Sequence, residues 1–257
     1  LVSAATVHPW QEGNCVALSS WFCAQGRTGQ PFECTAFTGE GCSACQTVPM
    51  GTQRTDFAPT DLGDRETTLL VKSLLIPRPI AWVGTCSADG VANLAPHSFF
   101  TMVSEHPPIV MFSSTGRKDT LTNAEATGEF TVSLVSRPQF EEANQTSAGY
   151  APGVSEFEAA AVAEEPSAVV VPPRVASSPA VMECTVERII PAGDGYMVLG
   201  RVVHVAVDTH TLSTDSRGRT LPLARELDPL SRLGRNEWGT LGGVLSAPRP
   251  HGGGNPQ

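Results

Sequence analysis

Aromatic residues, positive charge and long hydrophobic runs are all scarce in this sequence of 257 residues. Phe, Trp and Tyr make up 6% of the chain, whereas Gly (24) and Pro (21) are plentiful, which is typical of a fold with many turns. The net charge of −9 argues against nucleic acid as a partner. No apolar stretch approaches the ~20 residues of a membrane span. We therefore expect a cytoplasmic protein with one sizeable core that contacts neither membrane nor nucleic acid.

Two common site motifs are also missing. No G-x-G-x-x-G follows a predicted strand, so the sequence predicts no stable nicotinamide dinucleotide domain. His97 and His106 flank a predicted strand end at a spacing that does not favour a metal site. We expect no metal.

Residues 78–136 show a strand-rich pattern that a single helix interrupts. The predicted elements are strands at 80–85, 91–100, 109–112 and 129–135, a tight hairpin turn at Asp89-Gly90 and a helix at 121–126. This order predicts an antiparallel sheet with one helix packed over it. It does not fit the alternating parallel sheet of nucleotide-binding folds.

The most informative stretch is Arg117-Lys118-Asp119-Thr120, which follows Ser113-Ser114 and opens the predicted helix. Cations and hydroxyls bind phosphate, and the first N–H groups of a helix add donors and partial positive charge. An ordinary polar turn is the alternative. Asp119 is suited either to capping the helix or to contacting a ligand directly.

Several ordered motifs resemble the flavin reductase-like proteins, the group that includes nitrilotriacetate monooxygenase component B and the flavoredoxins. The motifs are RPIAWVGTCSADGVANLAPHSFFTMVSEHPPIVMFSS, RKDTLTN, GEFTVSLVS, NQTSAGYAPGVSEFE, PPRVASSPAVMEC and LDPLSRLGRNEW. The resemblance implies a mainly β fold with a few helices, an FMN-binding split β-barrel of antiparallel Greek-key type. It places this domain at residues 51–246.

The resemblance also implies a set of cofactor-binding residues. Those expected along the flavin ring are Asn93, Pro96, Ser98, Phe99 and Phe100, and those expected at the ribityl chain and phosphate are Ser113, Ser114, Arg117, Lys118, Asp119 and Thr120. His97 departs from the aromatic or apolar residue usual in the family. It brings an ionisable group near the flavin or, because strand neighbours alternate faces, points outward.

Three further side chains have open assignments. Arg78 and Trp82 are candidates for the flavin ring or a subunit interface, although we favour a packed position for Trp82. Trp238 either reaches the flavin pocket or lies on the rim of the barrel.

The implied activity is hydride transfer from NAD(P)H, a transient co-substrate, to bound FMN. Electrons then pass to free flavin, a partner monooxygenase or another acceptor. The cofactor carries this chemistry, so we name no catalytic residue. The resemblance further implies a homodimer with FMN at the interface. The alternatives are a non-enzymatic FMN-binding electron carrier, or a module that binds flavin, haem or F420.

The ends of the chain differ from the centre. Five cysteines precede residue 50: Cys15, Cys23, Cys34, Cys42 and Cys45. Cys42 and Cys45 have the spacing of a zinc knuckle, but the others fit no common zinc frame, and a disulfide cluster is another option. We favour a disordered or non-native leader for residues 1–50. Residues 247–257 are rich in Pro and Gly, which predicts a disordered tail.

Overall fold

The computed structural model describes residues 53–151, 153–247 and 250. The helices are α1 (Asp64–Leu74), α2 (Asp119–Thr127), α3 (Phe140–Gln145), α4 (Glu156–Ala159) and α5 (Ala224–Leu227), with 3₁₀ turns at Arg137–Gln139 and Thr209–Thr211. The strands are β1 (Arg78–Pro79), β2 (Ala81–Cys86), β3 (Ala92–His97), β4 (Phe100–Ser104), β5 (Ile109–Thr115), β6 (Glu129–Leu134), β7 (Glu164–Glu165), β8 (Arg174–Val175), β9 (Ala180–Ala192), β10 (Gly195–Val207), β11 (Leu212–Thr214), β12 (Thr220–Pro222), β13 (Ser231–Arg232) and β14 (Trp238–Gly239). Within these ranges, no helix combines the length and apolar character needed to cross a membrane.

The main sheet has seven strands in the order β3-β2-β6-β9-β10-β5-β4, and every neighbouring pair is antiparallel. The chain passes from edge strand β3 to the opposite edge strand β4 through Ser98 and Phe99 alone. In a flat sheet these edges would lie about 29 Å apart. The steps from His97 to Phe100 cover at most about 11 Å, so the sheet has to curl into a barrel. His97 Nδ1 lies 3.2 Å from Ser113 O and joins β3 to β5 across the gap.

The barrel interior is filled by one apolar cluster: Ala81, Val83, Val110, Phe112, Leu121, Ala124, Phe130, Val132, Cys184 and Val198. Leu121 and Ala124 come from α2, and the other members alternate along their strands with outward-facing residues, as a pleated sheet requires. The Phe112 and Phe130 rings meet edge to face with centroids 5.3 Å apart. A Cβ on Gly200 would lie 2.1 Å from Phe130 Cζ, so only glycine leaves room for this ring.

A second cluster lies on the outer face of the barrel, where α3 and α4 cover it. Trp82 is its largest fully buried member, and the packed position favoured for Trp82 is confirmed. The Trp82 Nε1–H donates to Thr146 Oγ1 at 2.9 Å. This bond fixes the start of the 146–150 segment, which forms one wall of the site described below.

The predicted strand and helix order of residues 78–136 is confirmed, with two differences. The single strand predicted at 91–100 is wrong, because Ser98 and Phe99 interrupt it and separate β3 from β4. The helix begins two residues earlier than predicted, at Asp119. Residues 212–223 form a short hairpin in which β11 pairs with β12. Helix α1 is not predicted by the pattern of the sequence.

The predictions for residues 1–50, including the five cysteines, lie outside the described residues. So does the predicted tail, apart from residues 247 and 250.

Candidate functional site

A cleft of about 590 Å³ opens where the barrel closes. Its walls come from the end of β3 and the link to β4, the end of β5, the start of α2, the 146–150 segment, and side chains of α1, β1 and β13. This volume lies within the range of roughly 300–1,000 Å³ that is usual for cofactor and small-molecule sites. The antiparallel closure thus places residues from distant parts of the sequence around one space.

Nine of the eleven predicted cofactor-binding residues line this cleft: Asn93, Pro96, Ser98, Phe99, Ser113, Ser114, Lys118, Asp119 and Thr120. Phe100 does not, because its side chain packs against the interior cluster. Arg117 also lies outside the lining, since its guanidinium donates to Glu125 and lies 5.5 Å from the centroid of the Tyr196 ring. This hydrogen bond with Glu125 raises the pKa of Arg117. The structure therefore separates Arg117 from its neighbour Lys118.

The capping role considered for Asp119 is wrong. The N-cap residue of α2 is Lys118, and α2 has no side-chain cap hydrogen bond. Asp119 occupies the first turn, where the partial positive charge of the helix N-terminus still favours a carboxylate. The first N–H groups of α2 consequently have no capping side chain at the cleft, which leaves them available to a ligand.

The β3–β4 link supplies further donors. The backbone N–H groups of Ser98 and Phe99 donate to no carbonyl or side chain within the described ranges. The link is nevertheless held in place, because the Ser113 N–H donates to Phe99 O at 2.9 Å. The site thus has fixed backbone donors, which can stabilise negative charge without reorganisation.

A buried polar network supports the same wall. Glu156 Oε2 accepts from the Leu94 N–H at 2.9 Å. The Asn93 amide lies between Glu156 and Thr120, and the orientation that satisfies both puts its nitrogen 3.3 Å from Glu156 Oε2 and its oxygen 3.1 Å from Thr120 Oγ1. Burial raises the pKa of Glu156, and the hydrogen bonds only partly oppose this. The sequence analysis assigned no role to Glu156, although its motif GVSEFE was part of the resemblance.

His97 lines the cleft and packs against Phe112, with ring centroids 4.8 Å apart. Its Nδ1 faces the Ser113 carbonyl, so in the neutral ring Nδ1 carries the proton and donates it. Nε2 is buried and has no hydrogen-bond partner within the described ranges. Burial lowers the pKa of His97 to about 4, so the ring is neutral at physiological pH. Of the two orientations considered for His97, the structure has the inward one.

Five cations line the cleft: Lys72, Arg78, Lys118, Arg232 and Arg235. Two carboxylates, Asp119 and Glu156, accompany them in the lining. A net positive cleft on a chain of charge −9 indicates an anionic ligand. Sequence reasoning identified Lys118 and named Arg78 as a candidate. It missed the other three because no phosphate-like motif surrounds them.

Trp238 does not line the cleft. Its ring lies 4.9 Å from Arg232 Cζ and meets the Phe140 ring edge to face at 5.2 Å. The rim position is therefore the correct one of the two considered. Trp238 still influences the cleft indirectly, because it supports the Arg232 guanidinium.

Comparisons with known proteins agree with this architecture. Residues 73–224 match the family described as Flavin reductase like domain. A protein of Halalkalibacterium halodurans is 38% identical over 204 residues, which cover 75% of this chain and 95% of the relative. The structure of nitrilotriacetate monooxygenase component B from Bacillus cereus is similar at a TM-score of 0.71 and 32% identity, covering 76% of this chain and all of that one.

A protein with a split barrel domain from Shewanella frigidimarina shares the fold at a TM-score of 0.68 and 23% identity, over 74% of this chain and 96% of that one. The predicted fold class, a mainly β split barrel, is confirmed. The predicted family is confirmed as well. The chain belongs to the flavin reductase-like family.

Proposed function

We propose that this protein binds FMN in the cleft and acts as an NAD(P)H-dependent oxidoreductase. The observation that carries the proposal is the convergence of nine predicted flavin-contacting residues on one cationic cleft. Bound FMN would supply the redox chemistry, taking a hydride from NADH or NADPH and passing electrons to free flavin, a partner monooxygenase or another acceptor. The protein supplies binding, orientation and charge.

The residues present fit FMN. Lys118 and the free N–H groups at the start of α2 suit the terminal phosphate, which carries about two negative charges. Ser113, Ser114 and Thr120 border the same end of the cleft and suit the ribityl chain. Asn93, Pro96, Ser98 and Phe99 are proposed along the ring. Phe100 and Arg117 remain predictions with weaker support, because neither side chain lines the cleft.

The charge of the wall suits a cofactor that becomes more negative on reduction. The N–H groups of Ser98 and Phe99, which have no acceptor in the part of the chain that the structure describes, are fixed donors that stabilise such charge. His97 is neutral and its Nδ1 is committed to Ser113 O, so it holds a fixed proton and moves none. We accordingly assign no side chain as general acid or base.

We further propose a cytoplasmic homodimer with the cleft at its interface. Helix α1 has no buried residue, although three of its side chains are large and apolar. Leu69, Val71 and Leu74 are 44%, 45% and 72% exposed. On the link and on β4, Phe99, Met102 and Val103 are also exposed. Apolar groups next to a binding cleft favour burial by a second copy of the chain. The name of the Bacillus cereus relative supports a monooxygenase as the electron acceptor.

Two measurements test the proposal. The purified protein is titrated with FMN, with binding followed by quenching of flavin fluorescence, and the loaded protein then receives NADH or NADPH without oxygen. We expect binding and bleaching of the flavin absorbance. Binding without bleaching by either nucleotide would favour the electron carrier instead. Failure to bind FMN would refute the proposal as a whole, and identifying another ligand by mass spectrometry would favour the haem or F420 module.

A further inference from the structure

Four of the cleft cations are not used by the FMN proposal. Lys72, Arg78, Arg232 and Arg235, here called the four-cation group, come from α1, β1, β13 and the turn after β13. None of them forms an ion pair within the part of the chain that the structure describes. Cations that have no counter-charge among the described residues and share one wall of a cleft favour the binding of an anionic ligand.

The placement of two of these residues is unfavourable without such an anion. Arg78 and Arg232 are direct partners in the register of β1 and β13. Like charges directly opposite each other destabilise a strand pair. Burial, followed by the charge of Arg232, lowers the pKa of Arg78, and burial lowers that of Arg232. A negatively charged ligand between the two guanidinium groups would turn this repulsion into binding energy.

Two members of the group are held by hydrogen bonds. Arg78 Nε donates to Ser98 Oγ at 3.3 Å, Nη1 donates to the carbonyls of Lys72 at 2.6 Å and Leu75 at 2.9 Å, and Nη2 donates to that of Leu233 at 2.9 Å. These carbonyls fix the guanidinium without neutralising it. Arg232 Nη2 donates to Arg235 O at 3.2 Å. Arg235 has a φ of 54°, a left-handed conformation that is unfavourable for a residue with a side chain and that recurs at ligand sites.

A ligand other than the phosphate of FMN suits this group. In the proposed function Lys118 and the α2 N-terminus bind that phosphate, and they belong to other elements than the four-cation group. Arg232 and Arg235 keep guanidinium N–H groups without a partner among the described residues, and planar guanidinium groups suit phosphate oxygens, which they bind in pairs. The proposed activity requires a second ligand that visits the same cleft and carries a diphosphate.

We propose that the four-cation group binds the phosphate groups of this second ligand, the pyridine nucleotide. The inference rests on the proposed function. Its claim is the division of the cleft into two anion sites, one for the resident cofactor and one for the transient nucleotide. The group then fixes the nucleotide by its charged end and leaves the nicotinamide free to approach the flavin.

The test uses the FMN-loaded full chain and three variants: Arg235→Gln, the double variant Arg232→Gln with Arg235→Gln, and Arg225→Gln. Arg225 is an exposed cation of α5 outside the cleft, so its substitution removes the same charge without touching the site. Binding of NAD⁺ and NADP⁺, which cannot reduce the flavin, is measured by titration, and FMN affinity is measured in parallel. Circular dichroism checks that each variant is folded.

We expect the double variant to bind dinucleotide roughly tenfold or more weakly, as the loss of charged hydrogen bonds implies. FMN affinity should stay within about threefold of wild type, and Arg225→Gln should match wild type in both. Arg235→Gln alone should show part of the loss of dinucleotide affinity. This single variant replaces the double variant in the test if the double variant does not fold. A larger loss for NADP⁺ than for NAD⁺ would assign the group to the 2′-phosphate, and an equal loss to the diphosphate.

Two results would overturn the inference. One is unchanged dinucleotide affinity in the folded double variant, or no measurable dinucleotide binding by wild type. The other is a fall in FMN affinity with no change for dinucleotide, which would give the group to the cofactor. Both differ from failure of the proposed function, in which wild type binds no FMN at all.

Discussion

Glu183 on the outer flank of the barrel and Glu156 in the wall of the cleft are both buried carboxylates, yet their pKa values shift in opposite directions. Burial would raise the pKa of Glu183, but bonds from the N–H groups of Ala168 and Val169 and from Arg174 outweigh it and lower the pKa. At Glu156 the balance is reversed: burial raises the pKa and outweighs the hydrogen bonds from the N–H groups of Leu94 and Glu156 itself, and the negative charge of Asp119 raises it further.

The opposite pKa shifts of Glu183 and Glu156 reflect a difference in charge balance between the flank and the cleft. On the flank, the Glu183 carboxylate has its counter-charge, Arg174, within the fold and is not available to a ligand. In the cleft, five cations line the wall and none forms an ion pair within the described ranges. A protein gives up stability at such a place only where an external group completes the charge balance.

The largest expected effect comes from removing the buried ion pair between Arg174 and Glu183 on the flank. Glu183→Gln leaves Arg174 buried without its counter-charge, and we expect a loss of about 3–5 kcal/mol in the free energy of unfolding. Denaturant titration measures this loss. Because the pKa of Glu183 is lowered in the folded state, its contribution is present above the unfolded pKa near 4.3 and declines as the pH falls through the folded value.

The matched control for Glu183→Gln is Glu187→Gln. Glu187 also pairs with an arginine, Arg201 at 2.9 Å, but both side chains are nearly half exposed. We expect a change below about 1 kcal/mol, since solvent screens an exposed pair. If both substitutions cost the same, burial does not distinguish the two ion pairs and the comparison fails.

The second prediction concerns His97 and the free energy of unfolding between pH 6.5 and pH 4. The pKa of His97 is about 4 in the folded protein, against about 6.5 unfolded. The unfolded chain therefore binds more protons in this interval, and stability falls as the pH is lowered from 6.5 to 4, by up to about 3 kcal/mol. His97→Phe should remove this part of the pH dependence.

Denaturant titrations of wild type and His97→Phe at pH 7, 6, 5 and 4 measure the difference between the two curves. Curves that stay parallel across this interval would show that His97 ionises freely in the folded state. The control residue is His210, an exposed histidine beside Asp208, whose substitution by Gln should leave the curve close to wild type.

The third prediction separates two adjacent cations. Lys118→Ala should weaken FMN binding by about 1.5–3 kcal/mol, which is roughly 10- to 100-fold, because one charged hydrogen bond to phosphate is lost. Arg117→Ala should change FMN affinity by less than about threefold, since Arg117 is committed to Glu125 outside the cleft. Fluorescence titration with FMN measures both. Equal losses would mean that Arg117 leaves Glu125 when FMN binds.

Lys118 and Arg117 also show how far the sequence predicts the site. The stretch proposed to bind phosphate is recognisable in the sequence because its residues are contiguous, and the stretch proposed to contact the flavin is recognisable for the same reason. Which of two adjacent side chains enters the cleft depends on where α2 begins. That boundary could not be read from a short polar stretch, whose propensities differ little between turn and first helical residue.

Secondary-structure elements that depend on neighbouring residues in the sequence were also predictable. Alternation of apolar residues predicted the strands, and the Asp89-Gly90 signal predicted a hairpin in which Gly90 has a φ of 84°. Barrel closure, by contrast, joins β3 to β5 and gathers Lys72, Arg232 and Glu156 from distant parts of the chain. Single-sequence patterns carry no signal for such contacts, which is why Lys72, Arg232, Arg235 and Glu156 emerged only from the structure.

The smallest expected effect comes from Glu156→Gln, the counterpart of Glu183→Gln in the cleft. The amide keeps an oxygen acceptor for the Leu94 N–H, and no counter-charge is left behind. Because the pKa of Glu156 is raised, its ionised form is the less stable one in the fold, and its stabilising contribution is lost as the pH rises through the folded value. Removing the charge should thus shift the free energy of unfolding at pH 7 by less than about 1 kcal/mol, and toward stability. Denaturant titration of Glu156→Gln and Glu183→Gln under the same conditions measures this difference. A loss of stability as large as that of Glu183→Gln would mean that the Glu156 carboxylate has a cationic partner within the fold. The cations of the cleft wall would then be neutralised by the chain itself.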